Sequence, residues 1–379
     1  MTKQLLIACA GAGKTTKIVT ESIQLTNKGK KVLIITYTHS NQKELIQKFK
    51  ELNGTRNDLF IVKGWYTFIL EDIIRPYQRC IISKRITGIF LNSQNPHKTR
   101  NGYTISGRAE KIGGNYNPSH FLTSKHQAYT EFISKLACRI ISESKVNISD
   151  RIQSIYDRIY LDETQDFAGW DFDLFKHLTK SKKLEIHAVG DFRQTIYHTS
   201  SSPKKPNESS DKLSTYKKMG FKTKDLNECW RSIESICKFA DSIHLGQGYT
   251  PTISKIDNQS IPSHNSVIYI SPDHIDDYVS QFDPLILRYS SGSGKVLEKY
   301  QKLMTFGESK GLTADHVLVQ PTQPILNFLK GEANPFGDSS ISQNKFYVAV
   351  TRARYSVAFI VNDPFFDSLL WSPNNNSQV

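Results

Sequence analysis

The sequence has few of the residues that mark a secreted, disulfide-bonded or zinc-stabilised protein. Its 379 residues include only five cysteines, which form no C-x-x-C pair and no cysteine–histidine spacing of a zinc site. Disulfides persist in oxidising compartments, so this cysteine usage indicates a reduced, cytoplasmic protein. The chain opens directly on an apolar strand pattern, without the basic and apolar regions of a signal peptide, which agrees with that location.

Long apolar runs and acidic residues are also scarce. No stretch approaches the roughly 18 apolar residues of a membrane span, so no membrane association is expected. The 36 acidic residues are outnumbered by 49 basic ones, which leaves a net charge of +13. Such a charge favours a polyanion as partner, and nucleic acid is the first candidate, although composition leaves a basic soluble enzyme of another kind open.

A phosphate-binding loop is predicted near the start of the chain, in the segment ACAGAGKTT. The pattern G-x-x-x-x-G-K-[ST] is met at its end, whereas Ala8 stands where the first glycine belongs. Alanine is compatible with this position if it is the last residue of a strand, and Gly11 and Gly13 allow the tight curl. The predicted ATP-binding residues are Ala8, Cys9, Ala10, Gly11, Ala12, Gly13, Lys14, Thr15 and Thr16.

The segments around this loop support the prediction. QLLIA before it has the pattern of a buried strand, and TTKIVTESI after it has that of a helix. Backbone N–H groups at a helix N-terminus bind phosphate, Lys14 would reach the β- and γ-phosphates, and the Thr15 hydroxyl would bind Mg²⁺. The alternative is a glycine-rich turn that binds nothing, which the strand–loop–helix context disfavours.

An acidic pair ends a second apolar strand, in the segment IYLDETQDF. Asp162 would help to hold Mg²⁺, and Glu163 would orient and deprotonate the attacking water. The alternative is a pair of solvated acids after a strand. The phosphate loop upstream favours the catalytic interpretation.

Apolar strands alternate with helical patterns along the first part of the chain, which indicates a doubly wound parallel sheet. A polar, Pro/Ser-rich segment from 199 to 214 is predicted to be a loop. The predicted organisation is an ATP-binding domain over 1–224 with a basic insertion at about 75–150, a second domain over 225–367, and a disordered tail over 368–379.

Six further motifs follow in a fixed order. They are TYTHSNQKEL at 36–45, GWYTF at 64–68, VGDFRQTIY at 189–197, CWRS at 229–232, GESKGLTADHV at 307–317 and YVAVTRAR at 347–354. With the two motifs above, they resemble the UvrD/Rep branch of superfamily-one helicases, over about 5–359. The resemblance implies an α/β fold of two tandem RecA-like P-loop domains with parallel sheets and an insertion in the first.

The same resemblance implies roles for residues outside the phosphate loop. Gln194 would sense the γ-phosphate, while Arg231 and Arg352 would act as arginine fingers from the second domain. The finger interpretation is stronger for Arg352 than for Arg354 because of its place in VTRAR. The implied cofactors are ATP and Mg²⁺.

Nucleic-acid contacts are implied for four of the motifs and for the insertion. The aromatic residues would stack on bases and the others would contact phosphates; Tyr37 could equally be a core residue. Between Ile73 and Thr130 nine basic residues accompany one acid, Glu110, so the insertion is predicted to clamp the backbone. The predicted contacts are Tyr37, Thr38, His39, Trp65, Thr67, Tyr197, Ser309, Lys310, Lys84, Arg85, Arg100 and Arg108.

The leading functional hypothesis is an ATP-dependent DNA helicase or translocase of the UvrD type. It would move on single-stranded nucleic acid in the 3′–5′ direction, with DNA favoured over RNA. A second hypothesis is an ATP-driven nucleic-acid sensor that regulates a partner nuclease and unwinds little. A third, a small-molecule P-loop kinase, is disfavoured by the motifs at 189–197 and 347–354.

Overall fold

The structure is a computed structural model that describes residues 2–92, 95–181, 183–197, 199, 203–337 and 339–373. Two compact units are present. Unit 1 comprises the chain up to Ile7, Lys14–Gly190 and Tyr197–Lys224. Unit 2 comprises Ala8–Gly13, Asp191–Ile196 and the chain from Asp225 onward. The short segments at 8–13 and 191–196, which the predicted domain bounds place in the first domain, therefore belong to Unit 2.

Unit 1 is built on a six-stranded sheet. Its strands and those of the insertion are β1 (Lys3–Ala8), β2 (Val32–Thr36), β3 (Phe60–Gly64), β4 (Gly88–Phe90), β5 (Lys111–Ile112), β6 (Asn115–Tyr116), β7 (Gln127–Tyr129), β8 (Arg158–Leu161), β9 (Glu185–Gly190) and β10 (Lys222–Leu226). The strand order is β10-β1-β9-β8-β2-β3, and the pairs from β1 to β3 are parallel. β2 reads VLIIT and is buried along its whole length, as a central strand covered on both faces requires.

Helices flank this sheet and connect its strands. They are α1 (Lys14–Thr26), α2 (His39–Asn53), α3 (Trp65–Phe68), α4 (Pro118–Phe121), α5 (Ile133–Ser144), α6 (Ile148–Ile155), α7 (Trp170–Leu178) and α8 (Ser209–Lys218). α3 continues directly into a π-helix at Ile69–Ile74. α8 begins inside the segment predicted to be a polar loop, so that prediction is wrong from Ser209 onward.

Unit 2 contains a second parallel sheet. Its elements are β11 (Glu228–Cys229), α9 (Glu234–Ser242), β12 (Ile253–Ser254), β13 (Ser266–Ile270), α10 (Ile275–Phe282), β14 (Leu285–Arg288), β15 (Leu303–Thr305), β16 (Ala314–Val319), α11 (Gln323–Leu329), α12 (Ser340–Val350) and β17 (Ala353–Ile360). The order β13-β17-β16-β14-β15 is parallel throughout, and separate apolar clusters contact its strands. The predicted α/β class with parallel sheets is confirmed.

The insertion in Unit 1 is smaller than its predicted bounds of 75–150. Its regular structure consists of the parallel pair β4–β7 and the antiparallel hairpin β5–β6. α5, which those bounds include, contacts the π-helix and α7 and buries Leu136, Ala137 and Ile140. α5 therefore belongs to the helical layer of Unit 1.

The chain remains packed beyond the predicted start of the disordered tail. The Trp371 ring lies 5.2 Å from that of Tyr278 and 5.9 Å from that of Phe282, and its backbone N–H donates to Tyr269 at 2.8 Å. The predicted start at 368 is therefore wrong, because an aromatic residue of this segment joins the core of Unit 2. Residues 374–379 lie outside the described residues. Within the described chain, none of the helices combines the length and the apolar character needed to cross a bilayer.

The last residue of β9 must be glycine because the turn after β8 lies against it. A Cβ atom at Gly190 would meet the side-chain oxygen of Gln165, and would lie 3.0 Å from Thr164 Cγ2 and 3.1 Å from the Gln165 backbone nitrogen. We expect Gly190→Ala to lower the free energy of unfolding by about 1–3 kcal/mol through overpacking.

Urea unfolding and thermal melting measure this effect. Gly88→Ala is the matched control, because its added Cβ meets nothing within 4 Å and the residue also lies in a strand of Unit 1. Equal stability of the two variants would contradict the close approach at Gly190.

Candidate functional site

The phosphate-loop sequence folds as its glycines require. β1 ends at Ala8, so the alanine in place of the first glycine is an ordinary strand residue. Gly11 and Gly13 have φ angles of +72° and +69°, which favour glycine, and α1 begins at Lys14. The loop therefore runs from a strand end into a helix N-terminus, the arrangement that presents backbone N–H groups to phosphate.

The acidic pair lies at the end of β8 in Unit 1. The Asp162 side chain is buried and accepts a hydrogen bond from the Thr36 hydroxyl at 3.1 Å. Burial and the charge of Glu163 raise the pKa of Asp162, while the charge of Lys14 acts in the opposite direction.

The donor set around this carboxylate suits magnesium. Mg²⁺ prefers oxygen ligands, and it is commonly held by one or two protein oxygens together with substrate phosphates. The Asp162 carboxylate and the Thr15 hydroxyl are such oxygens, and a bound cation would favour the ionised form of the buried acid. Asp162 and Thr15 are the residues that would hold the metal, which would neutralise charge on the transferred phosphoryl group.

Glu163 has a different environment from its neighbour. Its backbone is left-handed, with φ 50° and ψ 44°, and its carbonyl accepts from the Asp166 N–H at 2.9 Å, which closes a tight turn. The amide of buried Gln165 donates to the Glu163 carboxylate. Sequence reasoning gave Gln165 no role, although the segment DETQD already placed it two residues from the predicted base.

A second polar cluster, in Unit 2, surrounds Asp191. Gln194 donates to Asp191 Oδ2 at 3.0 Å and the Tyr347 hydroxyl donates to the same atom at 3.2 Å. The backbone N–H of Ala10 donates to the Tyr347 hydroxyl at 3.4 Å. The predicted γ-phosphate sensor is thus linked, through two side chains that sequence reasoning did not single out, to the phosphate loop.

The two predicted arginine fingers occupy different environments. Arg352 is 1% exposed, and it donates to the carbonyl oxygens of Val348 at 2.9 Å and Leu312 at 3.2 Å. It therefore caps the C-terminal end of α12, where a cation is favoured. Arg231 is half-buried, and its Cβ lies 2.6 Å from where a Cβ on Gly11 would be. Arg231 also donates to the carbonyl oxygen of Thr351 at 3.0 Å, so both arginines contact the end of α12 and Arg231 in addition lies beside the phosphate loop. The preference for Arg352 over Arg354 stays a prediction.

Two predicted nucleic-acid contacts are core residues. Trp65 is fully buried, donates from Nε1 to Asp171 at 3.0 Å, and packs 4.8 Å from the ring of Phe167. Ser309 is also fully buried and donates to the carbonyl oxygen of Phe306 at 2.8 Å. Both predictions are wrong, because neither side chain has surface to offer a base or a phosphate.

The other predicted contacts are exposed to solvent to different extents. Tyr197 is 46% exposed, whereas Tyr37 is half-buried and shares a hydrogen bond with the Tyr66 hydroxyl at 3.3 Å. Thr38 is exposed, but its hydroxyl already caps α2 by accepting from the Asn41 N–H at 3.2 Å. His39, Thr67, Lys84, Arg85 and Arg100 are exposed, and Lys310 and Arg108 are partly buried.

The parallel sheet, the glycine loop and the acidic turn together define a P-loop protein. Residues 2–200 match a family model described as an AAA domain. Because the match covers more than half of the chain, the protein belongs to this family. No curated protein matches the sequence.

Solved structures of viral helicases are similar to the chain at low identity. The PRRSV helicase aligns with a TM-score of 0.45 and 13% identity, over 98% of this chain and 54% of the viral one. Arterivirus nonstructural protein 10 (helicase) aligns with a TM-score of 0.46 and 14% identity, over 97% of this chain and 62% of its own. Its complex with DNA gives the same score and identity, with 61% of its chain covered. This chain therefore spans little more than half of the length of these helicases.

The burial of Trp65 leads to a prediction about stability. Trp65→Phe keeps an aromatic ring but removes the N–H that Asp171 accepts, so we expect the free energy of unfolding to fall by about 1–3 kcal/mol. Affinity for a labelled single-stranded oligonucleotide should not change. Tyr197→Ala is the comparison, and it should leave stability intact. If a folded Trp65→Phe protein bound the oligonucleotide more weakly, Trp65 would belong to the binding surface after all.

The two arginines should separate in their effects. Arg352→Ala removes an almost fully buried side chain together with its hydrogen bonds to Val348 and Leu312, so it should lower the melting temperature by several degrees. Arg231→Ala also removes a hydrogen bond, to the carbonyl oxygen of Thr351, but from a less buried side chain, so it should lower the melting temperature less. It should lower kcat for nucleotide hydrolysis by about 10³-fold if Arg231 is the finger. Arg354→Ala is the matched control, since Arg354 is half-exposed and paired with Asp315 at 3.3 Å. A stable Arg352→Ala protein with the larger kcat defect would reverse the assignment.

Proposed function

We propose that the protein is an ATPase stimulated by nucleic acid, which uses ATP to move on single strands as a helicase or translocase of the UvrD type. The observation that carries the proposal is the turn after β8. It separates two adjacent carboxyls, one buried near Lys14 and one held by Gln165. Phosphoryl transfer to water requires such a division between a metal ligand and a base.

Each group has a distinct part in hydrolysis. Lys14 balances charge on the β- and γ-phosphates, and Glu163 accepts the proton of the attacking water. Arg231 stabilises the charge that develops on the transferred group, since its backbone already lies against Gly11. Catalysis in this scheme is mainly positioning and electrostatics, so small displacements of these groups have large effects.

The charge of the insertion supports nucleic acid as the track. Glu110, the single acid between Ile73 and Thr130, is already paired with Lys135 at 2.7 Å and Arg139 at 2.6 Å. Lys84, Arg85 and Arg100 are exposed, and their positive charge suits phosphate contacts. The choice of DNA over RNA and the 3′–5′ direction rest on the resemblance to UvrD/Rep helicases.

The second candidate, an ATP-driven sensor that regulates a partner nuclease, is favoured by the modest size of Unit 2. Between α9 and β13 the described chain contains only β12 and one short helical turn, at Asn258–Ser260. No large accessory subdomain is accommodated within these described residues. This agrees with stepping or sensing better than with processive unwinding.

The decisive measurement is steady-state ATP hydrolysis without nucleic acid and with single-stranded DNA, duplex DNA and RNA. We expect single strands to stimulate the wild-type protein, and Glu163→Gln to lower kcat by at least about 10²-fold while nucleotide binding persists. Glu51→Gln, the same change on exposed α2, should behave as wild type. Hydrolysis at the wild-type rate by Glu163→Gln would show that the base is another residue.

Strand displacement separates the two candidate functions. A duplex with a 3′ single-stranded tail should be opened by a helicase, whereas a sensor should hydrolyse ATP on it without releasing the shorter strand. An ATPase that ignores every nucleic acid would contradict both.

A further inference from the structure

α8 carries two buried polar side chains that the proposed reaction does not use. Lys212 and Tyr216 lie one helical turn apart, and both are 0% exposed. Apart from Leu213 the rest of α8 is polar, and Lys217 and Lys218 are exposed. A lysine is almost never fully buried unless its ammonium group has a specific partner.

That partner is the turn that carries Glu163. The Lys212 ammonium donates to the carbonyl oxygen of Gln165 at 2.7 Å, across 47 positions of the sequence. Taking an ammonium group out of water costs several kcal/mol, so the groups around Lys212, this carbonyl among them, must be placed to compensate its charge. An apolar side chain of the same length would fill the same space.

Tyr216 holds the same turn one residue earlier. Its hydroxyl is hydrogen-bonded to the Thr164 hydroxyl. The ring is fixed by Phe172 and Phe221, whose centroids lie 5.1 Å and 5.0 Å away. Side chains of α8 therefore contact the side chain of Thr164 and the backbone of Gln165.

These two residues directly follow Glu163. The Gln165 amide donates to the Glu163 carboxylate, and the Asp166 N–H closes the turn on the Glu163 carbonyl at 2.9 Å. A left-handed residue other than glycine is strained and needs such support from its surroundings.

We infer that Lys212 and Tyr216 are positioning residues, which hold the turn at Thr164 and Gln165 so that the Glu163 carboxylate is aimed at the attacking water. The inference rests on the proposed function. Lys212 and Tyr216 act through Gln165 and Thr164, and α8 is thereby a support of the active site outside the eight helicase-like motifs.

The test compares Lys212→Met with Lys217→Met, the same substitution on the exposed side of α8. We expect Lys212→Met to lower kcat for ATP hydrolysis by about 10–100-fold, because small misplacement of a catalytic group has effects of that order. The KM for ATP should stay within about twofold, since the phosphate loop is untouched. The melting temperature should fall by a few degrees at most, because the lost hydrogen bond to the Gln165 carbonyl is partly offset by removal of a buried charge. Lys217→Met should match the wild type in all three.

A double-mutant cycle distinguishes positioning from general damage. Added to Glu163→Gln, Lys212→Met should cause no further loss of kcat, because the group that it positions is already absent. A further loss of about the same factor would overturn the inference. Tyr216→Phe removes one hydroxyl and keeps the ring. It should lower kcat in the wild-type background but not in Glu163→Gln, and it replaces Lys212→Met in the test if that variant does not fold.

Hydrogen exchange of the segment 160–168 provides a measurement that does not depend on activity. Lys212→Met should speed exchange there, while Lys217→Met should not. If the wild type hydrolyses ATP and Lys212→Met keeps both its kcat and its protection, the inference fails and the proposed function stands. If the wild type hydrolyses no ATP, the proposed function fails. Unchanged protection of 160–168 in Lys212→Met would then also show that Lys212 does not hold the turn.

Discussion

The arrangement in Unit 1 depends on a close approach between the end of β9 and the turn after β8. Gly190 leaves room for the side chain of Gln165, which could not otherwise reach the Glu163 carboxylate. The parallel pairing of β8 with β9 sets this approach, because it brings the carboxyl ends of both strands to the same edge of the sheet. One missing methyl group thus decides whether the candidate base can be held.

Buried charges in both units are placed where protein groups can compensate them. The charge of Lys14 and the Thr36 hydroxyl favour the ionised form of Asp162, against burial and Glu163, which together raise its pKa. Arg193 in Unit 2 is held between Asp191 at 3.3 Å and Asp241 at 2.7 Å. Isolated buried charges are costly, so such sets fix the geometry of the groups that they contain. The candidate site is accordingly preorganised in its polar parts, which is the property that electrostatic catalysis requires.

Sequence reasoning predicted the elements and the loop chemistry better than the burial of single side chains. The apolar strand β2 and the loop that precedes α1 follow from local pattern alone. The burial of Trp65 does not, because it is decided by Asp171 and Phe167, which are more than 100 positions away. The same holds for Lys212, since nothing in the polar sequence of α8 indicates that one of its lysines meets the carbonyl of Gln165.

The phosphate loop tolerates a residue other than glycine at some positions and not at others. Ala8 replaces a glycine without cost because it is the last residue of a strand, where any L-amino acid is accommodated. Gly11 could not be replaced in this way, since its φ is +72° and a Cβ atom built on it would lie 2.6 Å from the Cβ of Arg231. The sequence pattern specifies glycine at positions 8 and 13 and leaves position 11 open, whereas the backbone requires glycine at 11, beside the candidate arginine finger, and at 13, where φ is +69°. The positions that need glycine are therefore set by the backbone geometry of the loop.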